Sequence, residues 1–157
     1  MRNVRKMVLL LIATQMLCVS GSGSLAAQSN TAQDKDVKLV LDFWREILVA
    51  HHTELAPKYM AEGYIQHNPN VPTGRAGFVA FFSRFTAQPI PATLPNPPIQ
   101  VFAKGDYVVL IWDHEVKDPT DPSKTYKYNS FDMFRVTGGL IQEHWDSAMK
   151  NPPTPGA

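Results

Sequence analysis

Two alternating segments, Tyr126–Val136 and Leu140–Ser147, flank Thr137-Gly138-Gly139, and this arrangement restricts the fold more tightly than any other stretch of the chain. A paired-glycine turn between β-rich runs specifies an antiparallel hairpin. Side chains alternate across a strand, so every second residue shares a face. Asp132 and Phe134 therefore share one face of the first strand, while Gln142, His144 and Asp146 share one face of the second and Glu143 and Trp145 the other. Asp132, His144 and Asp146 are titratable groups with no packing role in an otherwise apolar ribbon. Which face is turned inward is left open by the alternation.

The strands before this hairpin read in the same way. Ile99–Ala103 and Tyr107–Val116 are rich in β-branched and aromatic residues, joined by a turn at Lys104-Gly105-Asp106 and followed by an Asp-, Pro- and Ser-rich loop from Lys117 to Lys124. Pro89–Pro98 is too proline-dense for a helix or a central strand and predicts an extended connection. Upstream of it the period changes. Val37, Val40, Leu41, Trp44 and Leu48 recur at three- and four-residue steps, predicting a helix with Trp44 in its core stripe. Thr53–Met60 predicts a short second helix with Thr53 as cap, Leu55 and Tyr59 inward and Pro57 in its first turn. Phe78, Phe81, Phe82 and Phe85 place an aromatic face on a third helix over Gly74–Thr86. Tyr64–Gly74 between them is extended or irregular, because its prolines disfavour helix in the preceding residues. Helices first and strands after predict an α+β domain with helices packed on one face of a curved antiparallel sheet.

The amino terminus reads as an address. Arg2, Arg5 and Lys6 precede an apolar run from Met7 to Val19, about 13 residues and short of the ~20 a membrane span requires, and small residues follow to Ala26-Ala27. Residues 1–27 are expected to be a cleaved signal peptide, 28–35 a disordered linker, 36–149 the folded domain and 150–157 a disordered tail. The mature chain is then secreted or periplasmic, with no membrane attachment. Cys18, the only cysteine, leaves with the signal, so neither disulfides nor thiol chemistry are expected. Removing three of the 15 basic residues and none of the 14 acidic ones leaves 12 against 14, a net charge of −2. That balance argues against nucleic acid as a partner.

Four motifs in order, Tyr64-Ile-Gln-His-Asn-Pro69, Gly74-Arg-Ala-Gly-Phe78, Gly105-Asp-Tyr-Val-Val109 and Phe131–Val136 through Glu143-His-Trp-Asp146, resemble the SnoaL-like polyketide cyclases of the nuclear transport factor 2-like superfamily. The resemblance implies a cone-shaped α+β barrel in which three N-terminal helices pack on a strongly curved antiparallel sheet and leave an apolar pocket. It places the first strand near Tyr64–His67. It also implies an intramolecular aldol condensation without metal or organic cofactor, with an acidic residue as acid/base, carried over here to Asp146. Relatives commonly pair, so a homodimer through the exposed sheet face is expected.

Removing a proton α to a carbonyl needs a base near the carbon and donors where the enolate charge develops. A carboxylate buried beside Trp145 and Trp112 would have its charged form disfavoured, which is the environment expected for Asp146. Asp132 and His144 are candidate catalytic partners. His67 is another, since Gln66-His67-Asn68-Pro69 concentrates donors and acceptors where an imidazole would polarise a carbonyl. Tyr64, Asn68, Trp112, His114, Phe134 and Trp145 are candidate substrate contacts. His51 and His52, at the end of the first helix, read as partners of its negative terminus. No metal site is expected, because no pair has His-x-x-x-His or Cys-x-x-Cys spacing and the resemblance implies a metal-free pocket; Gly-rich phosphate loops and Gly-x-Ser-x-Gly elbows are also absent. Two functions fit: acid/base catalysis on a small hydrophobic carbonyl compound, as in aldol cyclisation or isomerisation, or a non-catalytic binding or dimeric scaffold module of the same fold.

Overall fold

A computed structural model of the protein describes residues 22–150, with side chains described from residue 31. Most of the expected signal peptide and of the expected tail lies outside the described residues. α1 (Ser22–Phe43) continues into a π-helical turn, Trp44–Val49, and a single 3-10 turn, Thr53–Leu55, leads into the short α2 (Ala56–Tyr59). β1 (Met60–Gln66), α3 (Arg75–Phe82), β2 (Gln100–Lys104), β3 (Tyr107–Lys117), β4 (Thr125–Thr137) and β5 (Leu140–Asp146) complete the chain. The segment 28–35, expected as a linker, is helical instead, because it forms part of α1. No helix among the described residues is long and apolar enough to cross a membrane.

The five strands form one open sheet in the order β1-β5-β4-β3-β2. β2 to β5 are antiparallel as expected, but β1 pairs with β5 in parallel, so the sheet is mixed and does not close into a barrel. The parallel edge follows from connectivity, since α3, the proline segment and three strands separate β1 from its partner. The hairpin read from the sequence forms with Gly138 at φ 61° and Gly139 at φ 73°, left-handed values that a side chain at either position would resist.

Helices cover one face of the sheet. Val40, Phe43 and Ile47 from the first helical stretch, Tyr59 and Met60, Phe78 from α3, and Val108, Leu110, Phe134, Val136 and Ile141 from the sheet are all buried. Phe43 is the hub, with ring contacts to Tyr59, Phe78 and Phe134. The buried stripe is rotated from the expected one: Trp44 and Leu48 are only partly buried, and the π turn that carries them sets them at the edge of the core. Such turns displace side chains from the regular helical path and recur at functional sites. In β5 a bulge sits opposite Arg135 and Val136, pairing Val136 with Ile141 and Arg135 with Glu143. The extra residue, Gln142, resets the alternation. Ile141 is therefore in the core on the face of His144, and the expected grouping of Gln142 with His144 and Asp146 does not hold.

Candidate active site

Strand parity is resolved in favour of the polar set. Asp132 and His144 are buried, and with the partly buried Asp146 they face a cavity of about 230 Å³ between the sheet and the helices. Its walls are apolar: Phe43, Trp44 and Leu48 come from the first helical stretch, Phe78 and Phe82 from α3, Val71 from the loop after β1 and Phe134 from β4. Tyr64, Gln66 and Asn68 complete the polar side.

The polar groups form a continuous chain. Trp112 Nε1–H donates to Asp132 Oδ2 at 2.8 Å, and Asp132 Oδ1 lies 2.9 Å from His144 Nε2. His144 Nδ1 lies 2.9 Å from Gln66 Oε1. The backbone N–H of Asn68 also donates to Gln66 Oε1, at 3.0 Å, which fixes that atom as the amide oxygen and makes His144 Nδ1 a donor. Gln66 Nε2 then donates to the Tyr64 hydroxyl at 3.0 Å. With Nδ1 committed as a donor, a single proton is left to bridge His144 Nε2 and Asp132 Oδ1. This is the geometry of an imidazole oriented by a carboxylate.

Asp146 sits directly across from Asp132 in the β4–β5 pair. Two carboxylates on opposed strands repel unless other groups intervene, and here each has its own donors. Asn68 Nδ2 donates to Asp146 Oδ2 at 2.6 Å, and the Ala148 N–H donates to Oδ1 at 2.9 Å. Asn68 is oriented in turn by Asn70, whose N–H donates to Asn68 Oδ1 at 2.9 Å, the turn chemistry that asparagine favours. Burial, reinforced by the charges of Asp146 and Asp132, pushes the Tyr64 phenol far above its usual range, so it remains a neutral O–H donor. The donor atoms of Asp132, His144 and Asp146 lie within 4.8 Å of one another. Both nitrogens of His144 are nevertheless engaged by protein groups, so holding an ion would require breaking that chain.

Other expected contacts lie elsewhere. Trp145 points to the opposite face of the sheet, where it stacks on His67 with centroids 4.5 Å apart and planes 6° from parallel. His67 Nε2 donates to Glu143 Oε2 at 3.1 Å, and Arg135 Nε donates to Oε1 at 2.7 Å. His67 and Arg135 together hold the Glu143 carboxyl below its usual range. Neither His67 nor Trp145 lines the cavity, because β1 alternates like any strand and Gln66, not His67, has the inward parity. The tryptophan pair expected around Asp146 is thus absent: Trp145 is outside, and Trp112 serves Asp132. His114 lies further along β3, stacked on Tyr128 and 2.7 Å from Ser130 Oγ, beside a separate groove. Of the expected catalytic set, Asp132, His144 and Asp146 converge, joined by Tyr64, Asn68 and Phe134. Gln66 and Trp44 were not singled out as site residues. The two-residue spacing from Tyr64 to Gln66 was the available signal for Gln66, whereas nothing in the helical period marked Trp44 as a cavity wall.

A family model described as a SnoaL-like domain matches residues 40–144. The chain belongs to the SnoaL-like family. No curated protein matches it. Among solved structures, a candidate polyketide cyclase from Acidithiobacillus ferrooxidans aligns with a TM-score of 0.51 at 24% identity, covering 71% of this chain and 86% of that one. A nuclear transport factor 2-like protein from Burkholderia xenovorans aligns with a TM-score of 0.52 at 16% identity, covering 73% and 88%. At these identities the similarity shows the fold: the SnoaL-like chain has the α+β architecture of the nuclear transport factor 2-like superfamily, three helices on a curved sheet.

Proposed function

We propose that this SnoaL-like protein binds a small hydrophobic carbonyl compound in the cavity and performs cofactor-free acid/base chemistry on it, of the aldol cyclase or isomerase type. The observation that carries the proposal is the convergence of Asp146 and the Asp132-backed His144 on one apolar cavity that also holds the neutral Tyr64 O–H. Asp146 takes the α-proton, and the C–H electron pair becomes the enolate. The Tyr64 O–H supplies a hydrogen bond where the oxygen charge develops, and the proton shared between His144 Nε2 and Asp132 is the one the pair contributes to the chemistry. The proton then returns to a different carbon (isomerisation), or the enolate carbon bonds to a second carbonyl whose oxygen takes the proton (aldol closure).

The test needs no knowledge of the natural substrate. 1-Tetralone in D₂O, followed by NMR, should exchange its α-protons faster with the protein than without it. Asp146→Asn should reduce that acceleration by at least about 100-fold while thermal shifts still report binding. A wild-type protein that binds 1-tetralone and accelerates nothing would leave the non-catalytic binding module as the function of this fold.

Two further elements belong to the same proposal. The outward sheet face presents Phe102 at 56% exposure and Phe131 at 50%, with Ile65 and Tyr107 exposed on the same face, an apolar surface suited to homodimer formation. Sedimentation should show a dimer that Phe131→Glu dissociates, and a wild-type monomer at tens of micromolar would remove this element. Export through residues 1–27 would place cleavage inside α1, so the N-terminal sequence of exported protein should begin at or near residue 28.

A further inference from the structure

The cavity of about 230 Å³ is smaller than the range of roughly 300–1,000 Å³ typical of small-molecule sites. Beside it lies a groove of about 640 Å³ between Pro95-Asn96-Pro97 and β3. The two share Trp44 and Asp132 as lining residues, so they are neighbouring chambers that meet at the Trp44 indole. That indole, Trp44, packs against Trp112 with centroids 4.4 Å apart and planes tilted by 30°. The Asp132 carboxylate reaches both sides of the division.

We infer that cavity and groove form one two-part site for an elongated carbonyl compound. Its compact apolar head occupies the cavity, and a polar, non-anionic extension lies in the groove. The inference rests on the cavity reading proposed above and adds the class of ligand.

The chemistry of the groove selects the extension. Pro95, Pro97 and Trp44 offer apolar surface to a carbon chain, while His114 and Ser130, paired at 2.7 Å, offer hydrogen bonds to hydroxyl or amide groups. Charge disfavours an anion: Asp132 turns its carboxylate into the groove, Asp113 and Glu115 border it but have the opposite parity to Trp112 and His114 and turn theirs to the other face of the sheet, and no lysine or arginine lines it. Lys127 reaches Asp113 at 3.3 Å but is itself exposed and outside the lining. An anionic end group would enter beside the Asp132 carboxylate without a cation to receive it, a repulsion that acts as selection against that ligand.

Three probes test the inference by isothermal titration calorimetry: 1-tetralone, 1-tetralone bearing a short chain ending in a diol, and the same chain ending in a carboxylate. The diol is expected to bind about fivefold tighter than 1-tetralone, as one additional hydrogen bond would give, and the carboxylate weaker than 1-tetralone. His114→Phe keeps an aromatic ring against Tyr128 but removes the hydrogen-bonding nitrogens, and it should bring the ratio of diol to 1-tetralone affinities to within about twofold. Equal affinities for all three probes, or the carboxylate binding tightest, overturn the two-part site while leaving the cavity reading standing. Failure of all three to bind removes the cavity reading and this inference with it.

Discussion

Asp132→Asn and Asp132→Ala should differ sharply in stability, although each removes the same carboxylate. Asp132 accepts from Trp112 Nε1 through one oxygen and meets His144 Nε2 through the other. Asparagine reproduces both contacts if its oxygen accepts from the indole and its NH₂ donates to His144 Nε2. That arrangement is available because the Asn68 N–H fixes Gln66 Oε1 as an acceptor and so keeps the imidazole proton on Nδ1. Asp132→Asn should therefore cost less than about 1 kcal/mol. Alanine leaves two buried groups without partners, at about 1–3 kcal/mol each, for a total of about 2–6 kcal/mol. With a urea m-value near 1.5 kcal/mol/M, a loss of about 3 kcal/mol lowers the midpoint by roughly 2 M. Urea unfolding followed by far-UV circular dichroism reads this directly and is insensitive to local changes around Trp112. Equal destabilisation by the two substitutions would refute the tautomer assignment. Asp132→Asn also locks the Nε2 lone pair into a hydrogen bond, so 1-tetralone exchange should fall even though the fold is intact. Undiminished exchange would remove the Asp132–His144 pair from the chemistry.

His67→Ala, on the outward face, should leave 1-tetralone exchange within about twofold of wild type, in contrast to Asp146→Asn; a loss comparable to that variant would return His67 to the active site. Glu46 is buried, which raises its pKa, but hydrogen bonds from Tyr59 and Lys58 and the charges of Lys58 and Arg45 outweigh this and hold it below its ordinary 4.5. A depressed folded-state pKa contributes stability that is present above 4.5 and lost as pH falls through the lower folded value. Glu46→Gln should accordingly flatten the rise of unfolding free energy with pH on the acid limb, and an unchanged slope would contradict the assignment. His51 ends the π turn at φ 62° with its Nδ1 buried and unpartnered, so His51→Gly should raise stability by about 0.5–1 kcal/mol in chemical denaturation despite losing the stack on Phe85. A destabilised variant would show that the stack outweighs the backbone strain.

Period and punctuation are local properties, and they made much of this protein legible from its sequence. The Gly138-Gly139 hairpin, the four antiparallel strands, the aromatic helix and the α+β order are read from spacings within about ten residues, and the SnoaL-like motifs pointed to the superfamily. Alternation placed Asp132 with Phe134 and His144 with Asp146. It could not say which face met the helices, since a strand's period is the same on either side of the sheet. Tertiary structure made that choice by burying Phe134, Val136 and Ile141, and it overrode simple alternation at one point by inserting Gln142 as a bulge. It likewise decided the company each polar group keeps. Parallel pairing of β1 with β5 brings Gln66 to His144 and Asn68 to Asp146, residues 78 positions apart in both cases. The same pairing turns His67 outward onto Trp145. Side-chain chemistry and local period thus determined which residues were able to react, and long-range strand pairing, which no local pattern encodes, determined which of them meet.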